Sequence, residues 1–228
     1  MKQKQKRGSA SVGLLEKYPW VTSEWRSGQF YGHFSGTWHD GEFMPQSEWY
    51  GGEWRNGAWR NGFWHGGGWL NGTWENGTWK GGNWFNGTWN GGAWLGGTWY
   101  KGHWRGGTWC SGDWFGGSFK QGAWGGIEGQ TSYDSFWHGG TWLNGVWRGG
   151  KWYGGFWHCG TWCGGEWFGG KWCGGEWLAG TWRDGDWYGG TWKGGKWVVG
   201  QIYDFQKGKL VRSKLDPAAY FKKQDDKK

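Results

Sequence analysis

The chain has 228 residues, of which 54 are Gly and 31 are Trp, and its formal charge is +8. Gly alone at this level would suggest disorder, but disordered segments are poor in aromatics and this chain is 23% aromatic, enough to build a core. The charge divides as +1 over residues 1–48, +3 over 49–202 and +4 over 203–228, with both signs mixed through the middle. That is a weak electrostatic footprint for a nucleic-acid binder, so specific nucleic-acid binding is not expected.

Residues 1–13 are basic, contain Ser and Gly, and have no period, so they read as a flexible arm. The start has no apolar signal-peptide region, and no stretch approaches the roughly 20 apolar residues of a membrane span. Synthesis in a cytoplasm without a signal peptide is the expectation. From Phe34 a degenerate repeat begins: Gly32-His33-Phe34, Gly36-Thr37-Trp38 and Gly41-Glu42-Phe43, unevenly spaced as in a capping region, so 1–48 is read as arm plus irregular caps. Met44-Pro45-Gln46-Ser47 interrupts, since Pro has no N–H to donate to a ladder.

A strict register follows. An aromatic ring returns every fifth residue from Trp49 to Trp124, giving 16 slots with Phe119 standing in once, and again from Trp137 to Trp197, giving 13. Gly lies two residues before the ring in 27 of the 29 slots, the exceptions being Ser47 and Ser135. Residues 125–136 form an insertion loop that reads as a joint between two repeat blocks in preference to a binding loop. The second block runs from 137 to 202, where Gly200-Gln201-Ile202 is its last echo. In the basic tail, 203–228, Asp216 and Pro217 mark the N-cap and first position of a short helix ending near 223, with 225–228 frayed.

A five-residue period with turn residues invites two β-architectures. In a meander of three-residue strands joined by two-residue turns, both neighbours of each strand would compete for one hydrogen-bonding edge. A parallel β-solenoid has no such conflict: each short strand bonds to the coils above and below, and Gly turns the corners with positive φ. Trp and the Gly two residues earlier would then face inward, and the variable residues on either side of Trp outward. This spacing resembles the pentapeptide-repeat family, with Gly in place of the small residue and Trp in place of the central Leu or Phe. The resemblance implies a right-handed-type square coil; at four slots per coil the 29 slots make about seven coils, roughly 35 Å long. Tyr50-Gly51-Gly52-Glu53-Trp54-Arg55-Asn56-Gly57 also resembles half of a MORN repeat, so a MORN-like antiparallel meander is the alternative. Two features weigh against the solenoid: some 28 indole N–H groups would need partners in a dry core, and Thr recurs every tenth residue at 78, 88, 98 and 108, which suits an alternating meander equally well.

No catalytic constellation stands out. His33, His39, His65, His103, His138 and His158 are scattered and read as solvated surface residues. His158, Cys159, Cys163 and Cys173 are the densest ligand set but lack the paired short spacings of a zinc site, so no metal or cofactor is expected and the four Cys are read as free thiols. The Gly-rich stretches are not phosphate loops, because no helix follows them. Regular Trp rings read as an internal ladder. Outward aromatics beside them, Tyr50, Phe85, Tyr100, Phe115, Tyr153, Phe168 and Tyr188, are the candidate partner surface. The DNA mimicry found among pentapeptide-repeat proteins is not carried over, since it needs an acidic surface.

The composition is similar to that of Trp/Gly-rich repeat proteins of tailed-bacteriophage virions. The absence of a catalytic set, and ends that lack the period yet carry +5 of the +8 charge, point to a non-enzymatic structural protein docked to other structural proteins through its N- and C-terminal segments. The likeness implies that the assembly is a virion or appendage. The alternative is a carbohydrate- or surface-binding module using exposed aromatics.

Overall fold

The computed structural model describes residues 20, 21, 24–26, 29, 30, 33–45, 47–125 and 135–226. It is a parallel β-solenoid of about eleven coils with one short helix. Within the strict register a coil takes 15 residues and three sides: Trp59 lies on Trp74, Trp74 on Trp89 and Trp89 on Trp104. The square coil of the sequence reading is therefore replaced by a triangle, seven coils by about eleven, and 35 Å by about 50 Å at the same inter-strand spacing.

Ring size accounts for the third side. Successive rings meet edge to face, as Trp49–Trp54 at 5.8 Å and Trp54–Trp59 at 6.1 Å between centroids, with planes 73–74° apart. Three such rings close around the axis. Four at the same spacing would stand about 8 Å apart across the diagonal, leaving a void that close-packed interiors avoid. Along the axis the rings stack nearly parallel, as Trp54–Trp69 and Trp69–Trp84, both at 4.7 Å. Edge-to-face and offset-stacked contacts are both favourable for aromatic pairs, and every indole from Trp38 to Trp182 has no exposed surface.

Most sides are two-residue strands that could not stand alone, and the neighbouring coils hold them. The residue before Trp donates its N–H to a corner carbonyl one coil back, as Thr73 to Gly57 at 2.9 Å. The residue after Trp donates to a Trp carbonyl, as Glu75 to Trp59 at 2.8 Å. The corner requires Gly for two reasons. Gly72 has φ +123°, and a Cβ on it would lie 2.4 Å from the Gly57 carbonyl oxygen. Ser47 and Ser135, the two exceptions, begin strands after the irregular joins. Both are fully buried, and their hydroxyls donate to carbonyls of earlier segments, Phe30 at 3.4 Å and Cys110 at 3.1 Å.

The spacing of Thr78, Thr88 and Thr98 reflects this triangle. They stand on three different sides, paired with Ala93, His103 and Asp113 respectively, and Thr108 returns to the first side. The MORN-like stretch lies in and just after a parallel strand, Ser47–Trp54. Among the described residues only Gly200–Asp204 and Lys209–Ser213 pair antiparallel.

The irregular N-terminal rings are full rungs of the ladder. Trp25 stacks on Trp38 at 5.5 Å, Phe30 on Phe43 at 5.1 Å and Phe34 on Trp49 at 4.8 Å, while a register shift between Phe34 and Ser35 absorbs the uneven spacing. Residues 1–13 lie outside the described residues, as do 126–134 of the insertion. The ladder passes the insertion unbroken: Trp114 stacks on Trp137 at 4.8 Å and Trp124 on Trp147 at 4.9 Å.

The indole N–H groups are mostly left without partners, as the sequence warned. Trp99, Trp137 and Trp157 donate to the carbonyls of Gly116, Gly154 and Gly174, each 17 residues on, at 3.1–3.2 Å, and Trp197 donates to Ser213 at 3.0 Å. Most of the others have no partner within hydrogen-bonding geometry. Their nitrogens lie against the corner glycines of the next coil: that of Trp162 is 3.1 Å from where a Cβ of Gly180 would stand. Solenoid formation is favoured in spite of this because ring burial, at about 25 cal/mol per Å² of apolar surface, outweighs the roughly 1–3 kcal/mol cost of a buried donor left unpaired.

At the C-terminal end Ile202 takes the place of a ring on Trp187, fully buried. Helix α1, Pro217–Asp225, is capped by Asp216, whose side chain accepts from the Ala219 N–H at 2.9 Å. The helix is longer than the reading to 223, with Asp226 at its C-cap; 227 and 228 lie outside the described residues. Tyr220 is buried, Phe221, Trp192 and Trp197 are partly buried against the same core, and α1 lies beside the strand Thr191–Trp192, closing the last coil. No helix among the described residues is long and apolar enough to cross a membrane.

Candidate interaction surface

The residue after each Trp stands at the outer edge of its side, so the 15-residue coil gathers these positions into three external columns. One of them follows the side of Trp84, Trp99, Trp114, Trp137, Trp152 and Trp167 and holds Phe85, Tyr100, Phe115, His138, Tyr153 and Phe168. Centroid separations run 5.0, 5.6, 4.6, 5.3 and 5.0 Å, with planes within 2–19° of parallel. The Arg183 guanidinium ends the stack over Phe168, 5.1 Å from the ring centre. Five of the seven outward aromatics singled out in the sequence are thus brought into one line. Tyr50 and Tyr188 stand on the other two columns, Tyr50 against His65 at 4.4 Å and Tyr188 against Tyr203 at 5.8 Å.

His138 was missed when the histidines were read as scattered. It fills the column where the insertion lengthens the chain between coils, and it also contacts the Asp113 carboxylate at 3.1 Å. The signal was present as the 15-residue recurrence of rings at 85, 100 and 115 and at 153 and 168, which counts the sides of the coil directly.

The column is half exposed: Phe115 keeps 47% of its surface accessible and Tyr100 42%, against 0% for every indole behind them. Because each ring lies face to face with its neighbours, the column presents ring edges and Tyr hydroxyls outward, not free faces. Beside its first ring is a shallow depression lined by Glu53, Leu70, Phe85, Asn86 and Lys101.

The other candidate groups are dispersed. Burial pushes the Cys163 thiol up despite nearby Arg148, and the Cys173 thiol up despite nearby Lys171, making both weaker nucleophiles than a free thiol. All four Cys are free thiols, and no cluster of three metal-ligating side chains occurs among the described residues.

A second polar centre, absent from the sequence reading, lies in the C-terminal cap. Asp204 is buried, and its carboxylate accepts from Lys207 Nζ at 2.7 Å, Tyr220 Oη at 2.8 Å and Gln224 Nε2 at 2.9 Å, and from the backbone N–H groups of Gln206 and Lys207. These donors, Lys207 foremost, hold its pKa well below the ordinary carboxylate range, against the opposing effect of burial. Burial first, and then Asp204, push the Tyr220 hydroxyl up. The cluster ties the hairpin to α1, a structural use of a buried charge.

A ring every five residues, stacked in a parallel β-solenoid, fits a pentapeptide-repeat protein. No protein-family model matches the chain. No curated protein matches it either. A solved structure, that of the polySia specific acetyltransferase NeuO, aligns over 90% of this chain and 98% of that one, at 7% identity and a TM-score of 0.12. That likeness is too low to bear on fold or function.

Proposed function

We propose that this chain is a non-enzymatic structural protein: a rigid rod that serves as a scaffold element within a larger assembly, of the kind found in the virions or appendages of tailed bacteriophages. The observation that carries the reading is the interior. Three columns of aromatic rings run through about eleven coils with no exposed indole between Trp38 and Trp182, so the commonest large side chain of the protein serves to stiffen it. A solenoid in which every coil is bonded to the next resists bending as a unit, the property a scaffold needs. Its attachment to other structural proteins would use the basic N-terminal residues and the outer face of the C-terminal cap, where Lys222 and Lys223 lie in the last turn of α1.

The test is direct imaging. Particles purified from cells making this chain should contain it in fixed stoichiometry, and electron cryomicroscopy should place a triangular rod about 50 Å long within them. Recovery only as free chain, in fractions lacking assembled particles, would overturn the reading. Carbohydrate binding is the second reading, motivated by the exposed rings. It is the weaker one, because a sugar packs on a free ring face, and the faces in the main column are covered by neighbouring rings.

A further inference from the structure

We infer that the external aromatic column is the interface of an antiparallel two-fold dimer of this chain. Self-pairing is a property of the isolated protein, so the inference goes beyond the scaffold reading and stands whether or not the chain belongs to a virion.

The first ground is the order of residues in the column. From Phe85 to Phe168 it reads Phe, Tyr, Phe, His, Tyr, Phe, close to a palindrome centred between Phe115 and His138. A two-fold interface places residue i on j and j on i. With the axis at that centre and perpendicular to the rod, Phe85 meets Phe168, Tyr100 meets Tyr153 and Phe115 meets His138, each pair occurring twice. Edge-presenting rings suit this union, since the outward edges of one stack can lie against those of the other while the existing stacks stay intact.

The second ground is charge. The rung before Phe85 in the column carries Leu70, and the rung after Phe168 carries Arg183. Antiparallel pairing sets Arg183 on Leu70, whose aliphatic surface the Arg stem can cover. Parallel pairing in register would set Arg183 on Arg183 and His138 on His138. The neighbouring column, formed by the residue before each Trp on the same side, follows the same logic. Under the two-fold, Glu53 at one end faces Lys196 at the other, twice, and no like charges oppose each other along it.

The third ground is size. Leu70 to Arg183 spans seven steps of about 4.8 Å, and with its flanking columns the strip covers roughly 600 Å² per copy. The total of about 1,200 Å² sits at the lower end of specific interfaces, and fits a reversible dimer better than an obligate one. An aromatic stripe of this extent also exceeds the isolated apolar residues normal on a monomer surface.

Sedimentation velocity of the full-length chain over a concentration series tests the proposal. The wild type should pass from monomer to dimer. Tyr100→Lys and Tyr153→Glu should each weaken the dimer about tenfold or more, since each puts a charge against a Tyr of the other copy. The two together should recover at least part of the loss, because only the antiparallel arrangement sets the two introduced charges, opposite in sign, against each other. Both positions are outside the core, so the indole emission spectrum of every variant should match the wild type and certify folding. A wild type that stays monomeric at the highest concentration overturns the inference, whether or not an added oligosaccharide then binds. So does a dimer indifferent to both single variants. A double variant weaker than either single one overturns the antiparallel geometry.

Discussion

The interior and exterior aromatic columns have nearly the same rise and opposite tolerances. Both inherit their spacing from one backbone register, so Trp84 stacks on Trp99 at 4.7 Å while Phe85, one residue on, stacks on Tyr100 at 5.0 Å. Inside, a ring touches the rings above and below and also the two beside it, so its shape is dictated. Outside it touches only those above and below, and the same column position accepts Leu70, His138 or Arg183. Stacking distance is thus a property of the parallel sheet, and the restriction to large aromatic rings, Trp with an occasional Phe, is a property of the closed triangle.

The largest effect should come from the corner that makes the triangle. Gly87→Ala puts a Cβ 2.4 Å from the Gly72 carbonyl oxygen at φ +125°. Strain and displacement together should cost about 3 kcal/mol or more, read as a lowered denaturation midpoint. Trp89→Ala should cost a similar ~3–5 kcal/mol. Trp89→Phe should cost about half as much, because the ladder already accommodates Phe119 between Trp104 at 5.5 Å and Trp142 at 4.1 Å. Equal losses for the Ala and Phe variants would show that indole shape, and not ring stacking, carries the interior.

Truncating an external ring is the complementary experiment. Tyr100→Ala should change monomer stability by only about 0.5–1 kcal/mol, the worth of an exposed aromatic contact. Indole emission should stay blue-shifted and protected from acrylamide in that variant, and red-shift with quenching in Trp89→Ala. If the two variants destabilise alike, the distinction between the columns fails.

Only part of this was legible beforehand. The five-residue period, Gly at the corners and polar residues flanking Trp favour a parallel solenoid over a meander, because strand hydrogen bonding disfavours three-residue strands joined by two-residue turns. The number of sides was not legible from that period, since a pentapeptide fits a square as well as a triangle. It depended on how rings of this size meet around an axis, a tertiary matter, although the recurrence of rings at Phe85, Tyr100 and Phe115 carried the answer. The helix was announced by Asp216-Pro217, a local signal. The burial of Asp204 against Tyr220 and Gln224 was not, because those residues are separated by 16 and 20 positions and meet only when the cap folds back.

That cap yields the smallest expected effect. The folded-state pKa of Asp204 is depressed, so its contribution to stability is fully present above the ordinary carboxylate value of about 3.9 and is lost as pH falls below it. Hydrogen exchange should therefore show protection falling first in residues 200–226 on acidification, with the central coils still closed. Asp204→Asn should weaken cap protection at neutral pH and remove most of this acid dependence.

The register in which the N–H groups of a regular coil reach back sixteen residues also has a mechanical consequence. Because every bond of a coil runs to an adjacent coil, tension on the two termini cannot load the stack all at once and must peel it from an end. Each regular coil released frees 15 residues, about 50 Å of extended chain, for roughly 4.8 Å of stack lost. The regular coils should lengthen about tenfold in a staircase of near-equal steps. The first coil, from Trp25 to Trp38, should give a shorter step, and the coil that carries the insertion, from Trp114 to Trp137, a longer one.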